Sequence, residues 1–335
     1  MKKRYWIPLA LLGALLLAYL LGPRVPYEAV DAKLPVLGYG PADLDREIRA
    51  REAAVPDLRP DNHGRILWAD STRAPTDWAV LYLHGYSASP TEGDPIVAEL
   101  RERYGVHVYQ ARLAGHGRTD PTAMGELTPA ALVDSAKRAL VEARLLGRKL
   151  LVVSTSTGST LASYLAAAHP DSIQAQVMYS PNMAIDNPAA KLLSGPWGLQ
   201  LARLAEGGDT HQFTLPTGAE RYWTTSYPVK GLVALQHLLD QISTPAVWQQ
   251  ITQPYFIGYY YKDEEQSDHV ISIPTLLEFA ETTRTPAAQK RVVAFPEVDT
   301  HVIASGWQSQ DVASVRAATQ AFLEEVLGFV PKGGR

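Results

Sequence analysis

The sequence predicts an α/β fold: a three-layer α/β/α sandwich with a mostly parallel central sheet and an inserted lid or cap. Three observations lead there. Short, continuously apolar runs alternate with amphipathic segments through most of the 335 residues, as expected of strands buried on both faces of a parallel sheet. One such run, Lys149 to Ser154, continues into Thr155-Ser156-Thr157-Gly158 and passes at once into a helix-forming stretch. The alternation then breaks between about Ala184 and Thr252, where Trp197, Phe213, Tyr222, Trp223, Tyr227 and Trp248 are scattered among Gly and Pro.

At the N-terminus, Lys2-Lys3-Arg4 precede an apolar run from Tyr5 to Gly22, closed by Pro23-Arg24. About 18 apolar residues can span a bilayer with little tilt, and a basic start with an apolar middle is also the layout of a secretory signal. Ala18-Tyr19-Leu20-Leu21-Gly22 is a poor match to a small-x-small cleavage site. Residues 1–24 are therefore read as a signal anchor, with a cleaved signal and a buried helix as alternatives. The positive-inside rule leaves the basic residues in the cytoplasm. The rest of the chain is then extracytoplasmic, anchored to the membrane through this segment, or secreted if the segment is cleaved.

Residues 25–60 read as a linker and a short helix. The stretch 23–40 is rich in Pro and Gly, and Asp43 to Ala54 mixes charges with good helix formers. Strands are expected at Ile66-Leu67-Trp68, Trp78 to Leu83, Val106 to Gln110, Lys149 to Ser154, Ala175 to Tyr179, Tyr255 to Tyr260 and Arg291 to Phe295. Helices are expected at approximately 93–103, 128–146, 158–168, 274–283 and 311–327. Residues 61–183 and 253–331 then form the core, and 184–252 form the lid over the carboxyl ends of the strands, where such sheets bind ligands. Most of the lid aromatics should form its own small core, with two or three lining a pocket.

Hydrophobic residues at 46% and charged residues at 20% fit a globular chain, and a net charge of -4 gives no reason to expect a nucleic-acid partner. There is no cysteine, which excludes disulfides, thiolate chemistry and cysteine-ligated zinc.

Small-x-Ser-x-small between a strand and a helix is how a serine is held on a tight turn with its hydroxyl exposed. Ser156 is the candidate nucleophile, with Ser154 standing where glycine is usual. A serine needs a base, an orienting acid and an oxyanion site. The strand Trp78 to Leu83 runs into His84-Gly85-Tyr86, so the Tyr86 N–H would pair with the Thr157 N–H as oxyanion donors. His301 follows the last strand and is the candidate base. His63, His169, His211 and His237 read as surface residues, His107 as a strand residue and His116 as a turn residue. The acid comes from the loop after Tyr260: Asp268, pinned by Val270-Ile271, with Asp263 nearer the strand end as the alternative and Glu264 and Glu265 after it.

Over residues 60–330 the chain resembles the α/β-hydrolase superfamily, in its serine esterase and monoacylglycerol-lipase-like branch. The resemblance rests on His84 to Pro90, on Arg112-Leu113-Ala114-Gly115-His116-Gly117 (similar to the R-x-x-G-H-G turn of that branch), on Ser154 to Gly158, and on Asp268 and His301. The order of oxyanion loop, nucleophile, acid and base is kept. It implies an ester hydrolase working through an acyl-enzyme, with a small-molecule acyl ester as substrate and no metal or organic cofactor. The aromatic-rich lid points to an apolar acyl group, such as a short or medium chain or a monoacylglycerol. A second reading is an amidase or aminopeptidase, for which Glu206, Asp209 or Glu220 would grip the substrate amine. A third is a non-catalytic binding member of the fold.

Overall fold

Seven strands form one sheet in the order β1-β3-β2-β4-β5-β8-β9. They are β1 (Arg65–Leu67), β2 (Thr76–Leu83), β3 (His107–Ala111), β4 (Gly147–Thr155), β5 (Ala175–Tyr179), β8 (Tyr255–Tyr260) and β9 (Lys290–Phe295). Two further short strands, β6 (Thr210–Gln212) and β7 (Ser226–Pro228), pair antiparallel as a separate ribbon. Within the large sheet only β1 runs antiparallel to its neighbour. The computed structural model describes residues 6–333.

Side-chain alternation along the strands feeds two cores. Ala79, Leu81, Leu83, Leu150 and Val152 point to one face, and Val80, Tyr82, Leu151, Val153 and Val177 to the other. Helices α5 (Pro129–Ala143), α6 (Thr157–Ala168) and α8 (Lys230–Ile242) cover the first face, together with α2 (Leu44–Ala53). Helices α3 (Ile96–Tyr104) and α11 (Val312–Glu325) cover the second. A third cluster gathers α9 (Pro245–Trp248) and α10 (Ile273–Thr282) against β5 and β8. The outcome is the three-layer, mostly parallel sandwich that the apolar runs predict.

The segment 184–252 divides. A 3₁₀ turn (Pro188–Ser194), α7 (Gly198–Ala205) and the β6–β7 ribbon fill its first part, with Tyr227 of β7 reaching the first core and Ala202 of α7 packing on Val233 of α8. Helix α8 buries Ala234, Leu238 and Ile242 in the first core, and Trp248 joins the third.

Two features differ from expectation at the N-terminus. The stretch after Pro23 is no free tether. Tyr27, Val30, Leu34 and Tyr39 pack on the first core, and the Val30 N–H donates to Gln241 Oε1 at 2.8 Å. Lys137 Nζ also meets Asp31 Oδ1 at 3.0 Å. Within the described residues the apolar run itself forms α1 over Trp6–Leu20. Among the described residues no helix is long and apolar enough to cross a membrane, so the spanning anchor expected over residues 1–24 is not supported. Lys2, Lys3 and Arg4 lie outside the described residues.

Candidate active site

Ser156 stands between the end of β4 and the first residue of α6, with φ 52° and ψ -119°. A non-glycine residue in that region is strained and needs surroundings that hold it there. Its N–H donates to Tyr179 O at 2.9 Å, and its carbonyl accepts from Ser159 and Asn182 at 2.9 and 3.2 Å. Helix α6 crosses β2 so closely that a Cβ on Gly158 would lie 2.1 Å from Leu83 O. Glycine is therefore required at that position. At Ser154, where glycine is usual, a hydroxyl fits because it donates to Ser159 Oγ at 3.0 Å.

Across the sheet edge, Asp268 Oδ2 lies 2.6 Å from His301 Nδ1. The other carboxylate oxygen accepts from the Val270 N–H at 2.9 Å, and the Asp268 side chain is fully buried. Ile271 is buried and pins this turn, whereas Val270 is exposed. Burial alone would raise the Asp268 pKa, but the His301 charge and hydrogen bond outweigh it and hold the carboxyl below its usual range. For His301 burial pulls downward, and Asp268 with Glu92 reverses it, so the imidazole sits above its ordinary value. Asp263 is exposed and accepts from the Glu265 and Gln266 N–H groups of its own turn. The structure thus brings His301 to Asp268 and leaves Asp263 in solvent.

His301 Nε2 is buried without a partner, and it borders the same cavity as Ser156. No hydrogen bond joins it to Ser156 Oγ. Such bonds often tighten only when substrate fills a site. The Tyr86 and Thr157 N–H groups donate to nothing among the described residues. The turn that holds Tyr86 is fixed on both sides. His84 is fully buried, with Nδ1 2.8 Å from Gly85 O and Nε2 accepting from the Leu113 N–H at 3.0 Å. The Tyr86 hydroxyl donates to Gly231 O at 2.7 Å, tying the turn to α8.

The family model described as "Serine aminopeptidase, S33" matches residues 74–230. The fold is similar to that of a metagenome-derived lipolytic enzyme, with a TM-score of 0.64 at 16% identity over 80% of this chain and 99% of that one. This chain has the α/β-hydrolase fold. It is also similar to a soluble variant of Saccharomyces cerevisiae monoglyceride lipase, with a TM-score of 0.59 at 14% identity over 81% of this chain and 95% of that one. The monoacylglycerol lipase of Paleococcus ferrophilus gives 0.56 at 14% identity over 78% and 98%. No curated protein matches by sequence. These likenesses agree with the esterase and monoacylglycerol-lipase-like branch that the motifs resemble.

The cavity beside Ser156 has a volume of about 590 Å³. Beside Ser156 and His301 its walls are largely apolar, with Phe213, Trp223, Tyr227 and Leu235 among them. A second cavity of about 460 Å³ lies under the 3₁₀ turn and α7, lined by leucines and alanines. Ile185, His211 and Leu232 border both cavities. His211 is therefore not the surface residue that its polar sequence neighbours suggest. Its Nδ1 lies 2.9 Å from Glu206 Oε2. The sequence reading also missed Glu92, a buried carboxylate on the cavity wall. Its one sequence signal is a carboxylate two residues beyond Pro90 in the His84–Pro90 turn. Among the described residues no cluster of His, Asp and Glu could hold a metal ion.

Proposed function

We propose that this α/β-hydrolase cleaves carboxylic esters of apolar acyl groups through an acyl-enzyme on Ser156. The observation that carries the reading is the Asp268–His301 contact of 2.6 Å beside a serine at φ 52° in an apolar cavity. The Ser156 Oγ proton passes to His301 Nε2 as Oγ attacks the carbonyl carbon. Asp268 keeps Nδ1 protonated and stabilises the imidazolium that forms. The Tyr86 and Thr157 N–H groups donate to the oxyanion. His301 then returns the proton to the leaving alcohol, and water releases the acid by the same steps.

The family description makes amide cleavage the second reading. None of the three carboxylates suited to gripping an amine lines the cavity beside Ser156, and each already has a partner. Glu206 meets His211, Asp209 meets Arg203, and Glu220 accepts from the Gly218 N–H. This supports ester over amide. A fluorophosphonate should label Ser156, and p-nitrophenyl esters should turn over much faster than aminoacyl-naphthylamides. The reverse order of rates would replace the esterase reading.

We further propose that residues 1–24 associate with membranes and that the domain is extracytoplasmic. Support comes from Leu11, Leu12, Leu15, Leu16 and Leu17, all exposed on α1, next to the basic Lys2-Lys3-Arg4. Fractionation of the full chain against residues 25–335 tests it: equal solubility of both would remove the proposal.

A further inference from the structure

Glu92 is 2% exposed, in a 3₁₀ turn (Pro90–Gly93) that follows the oxyanion strand. A carboxylate is rarely buried without a cation, and among the described residues no Lys or Arg pairs with this one. Its contacts explain its place. Glu92 Oε2 accepts from the Gly85 N–H at 2.7 Å and from the Tyr82 hydroxyl at 2.9 Å. Tyr82 in turn is 3.0 Å from Thr155 Oγ1, the residue before Ser156. A Cβ built on Gly85 would lie 3.0 Å from Glu92 Oε1 and 3.3 Å from Ser156 Cβ. The carboxylate and the serine therefore face each other across Gly85.

We propose that Glu92 is a positioning residue of the acyl-transfer site. Its carboxylate fixes the Gly85–Tyr86 turn that presents one oxyanion donor, and it supplies a second negative charge to the imidazolium of His301. The proposal rests on reading Ser156 and His301 as nucleophile and base. Two different jobs meet in one side chain. The hydrogen bond to Gly85 holds the peptide immediately before the Tyr86 N–H. Glu92 and His301 line the same cavity beside Ser156, so the charge acts on the imidazole alongside that of Asp268, in the direction of its raised pKa.

The groups facing Glu92 are few. Tyr82 comes from β2, His301 from the loop after β9, and the Trp223 indole from the cap segment. Asp268 stands behind His301. Asp94, on the same turn, is turned to Arg65 and Gln110. Burial pushes the Glu92 carboxyl up to about 7, against the opposing pull of the Gly85 and Tyr82 hydrogen bonds and of His301.

Two substitutions in the full chain separate the two jobs. Glu92→Gln keeps an acceptor for the Gly85 N–H and removes the charge. Loss of a nearby negative charge lowers an imidazole pKa. The acid limb of kcat/KM for p-nitrophenyl butyrate should move to lower pH by about half to one unit, and the His301 NMR titration should move with it. Glu92→Asp keeps the charge and withdraws it from Gly85. Here kcat should fall about 10- to 100-fold, with KM within about threefold and the acid limb unmoved. A Gln variant whose pH profile and His301 titration superimpose on the wild type overturns the electrostatic role. An Asp variant with wild-type kcat overturns the positioning role. If the wild-type chain fails to label with fluorophosphonate, it is the serine-hydrolase reading that falls; the His301 titration still reads the Glu92 charge without any turnover.

Discussion

The Ser154 hydroxyl donates to the Ser159 hydroxyl at 3.0 Å, joining the last residues of β4 to the first turn of α6. Both side chains are fully buried. The serine that stands in the usual glycine position is therefore accommodated by a partner five residues on. Removing Ser154 leaves the Ser159 hydroxyl buried and unsatisfied, which costs about 1–3 kcal/mol, whereas removing both can be nearly neutral. We expect Ser154→Ala alone to lower unfolding free energy in urea by about 1–2 kcal/mol. The Ser154→Ala, Ser159→Ala double variant should recover most of that loss. Additive losses in the cycle would show that the two hydroxyls act independently.

The second prediction concerns the acid and its pH signature. The reactive imidazole must be neutral, and His301 is held above the ordinary value of 6.5 by Asp268 and Glu92 against the effect of burial. Activity should therefore fall as pH drops through a point above 6.5, because protonated His301 cannot accept the serine proton. Asp268→Asn removes the larger of the two supporting charges, so burial then dominates and the limb moves down in pH. Turnover should drop by about four orders of magnitude, as for triad acids generally, while Asp263→Asn stays within about twofold. A pH–rate series on all three chains reads both effects. An Asp263→Asn loss of the same size would reassign the acid.

The strands of the main sheet were legible because each is a short, continuously apolar run. Their observed bounds fall within about two residues of the sequence reading. The β6–β7 ribbon was not, because strands of three residues are too short to carry an apolar rhythm. Helix α8 has a visible helical spacing in Val233, Ala234, Leu238 and Ile242. Whether it caps the site or flanks the sheet depends on tertiary packing, which the spacing does not encode. Ser156 and His301 stood out through motif and order along the chain. Choosing between Asp268 and Asp263 required knowing which one the loop buries. His211 had no local signal and Glu92 only its place just beyond the His84–Pro90 turn, since a polar residue on a cavity wall looks like any surface residue until the chain folds around it.

The third prediction tests a structural role for the Arg112 to Gly117 turn. Arg112 Nε donates to Glu52 Oε2 at 2.7 Å, and the same oxygen accepts from the Gly64 N–H at 2.9 Å. Arg112 Nη1 also donates to His116 O at 3.2 Å. Each side chain of the pair is only 8% exposed. Stripping one partner from such a pair leaves a buried charge uncompensated, typically a loss of about 3–5 kcal/mol. We expect Glu52→Ala to lose that much in denaturant titration. Glu52→Leu with Arg112→Met should recover a substantial part. A loss below about 1 kcal/mol in the single variant would mean that water reaches the pair and screens it as at a surface.

The fourth prediction asks how far an acyl chain reaches. The cavity beside Ser156 and the apolar cavity under α7 meet at Ile185, His211 and Leu232. A short acyl group fits within the first cavity, while a long one has to pass those three residues to bury its end. Leu232 projects from α8, whose backbone packs firmly on the first core, so a larger side chain there should fill the passage rather than displace the helix. Leu232→Trp should leave kcat/KM for butyryl esters within about threefold and lower it for decanoyl and longer esters by about 10- to 200-fold, the range a pocket contact can supply. A panel of p-nitrophenyl esters from acetyl to palmitoyl measures the divergence. If the loss is uniform along the panel, long chains do not use the passage, and the second cavity has no part in choosing the acyl group.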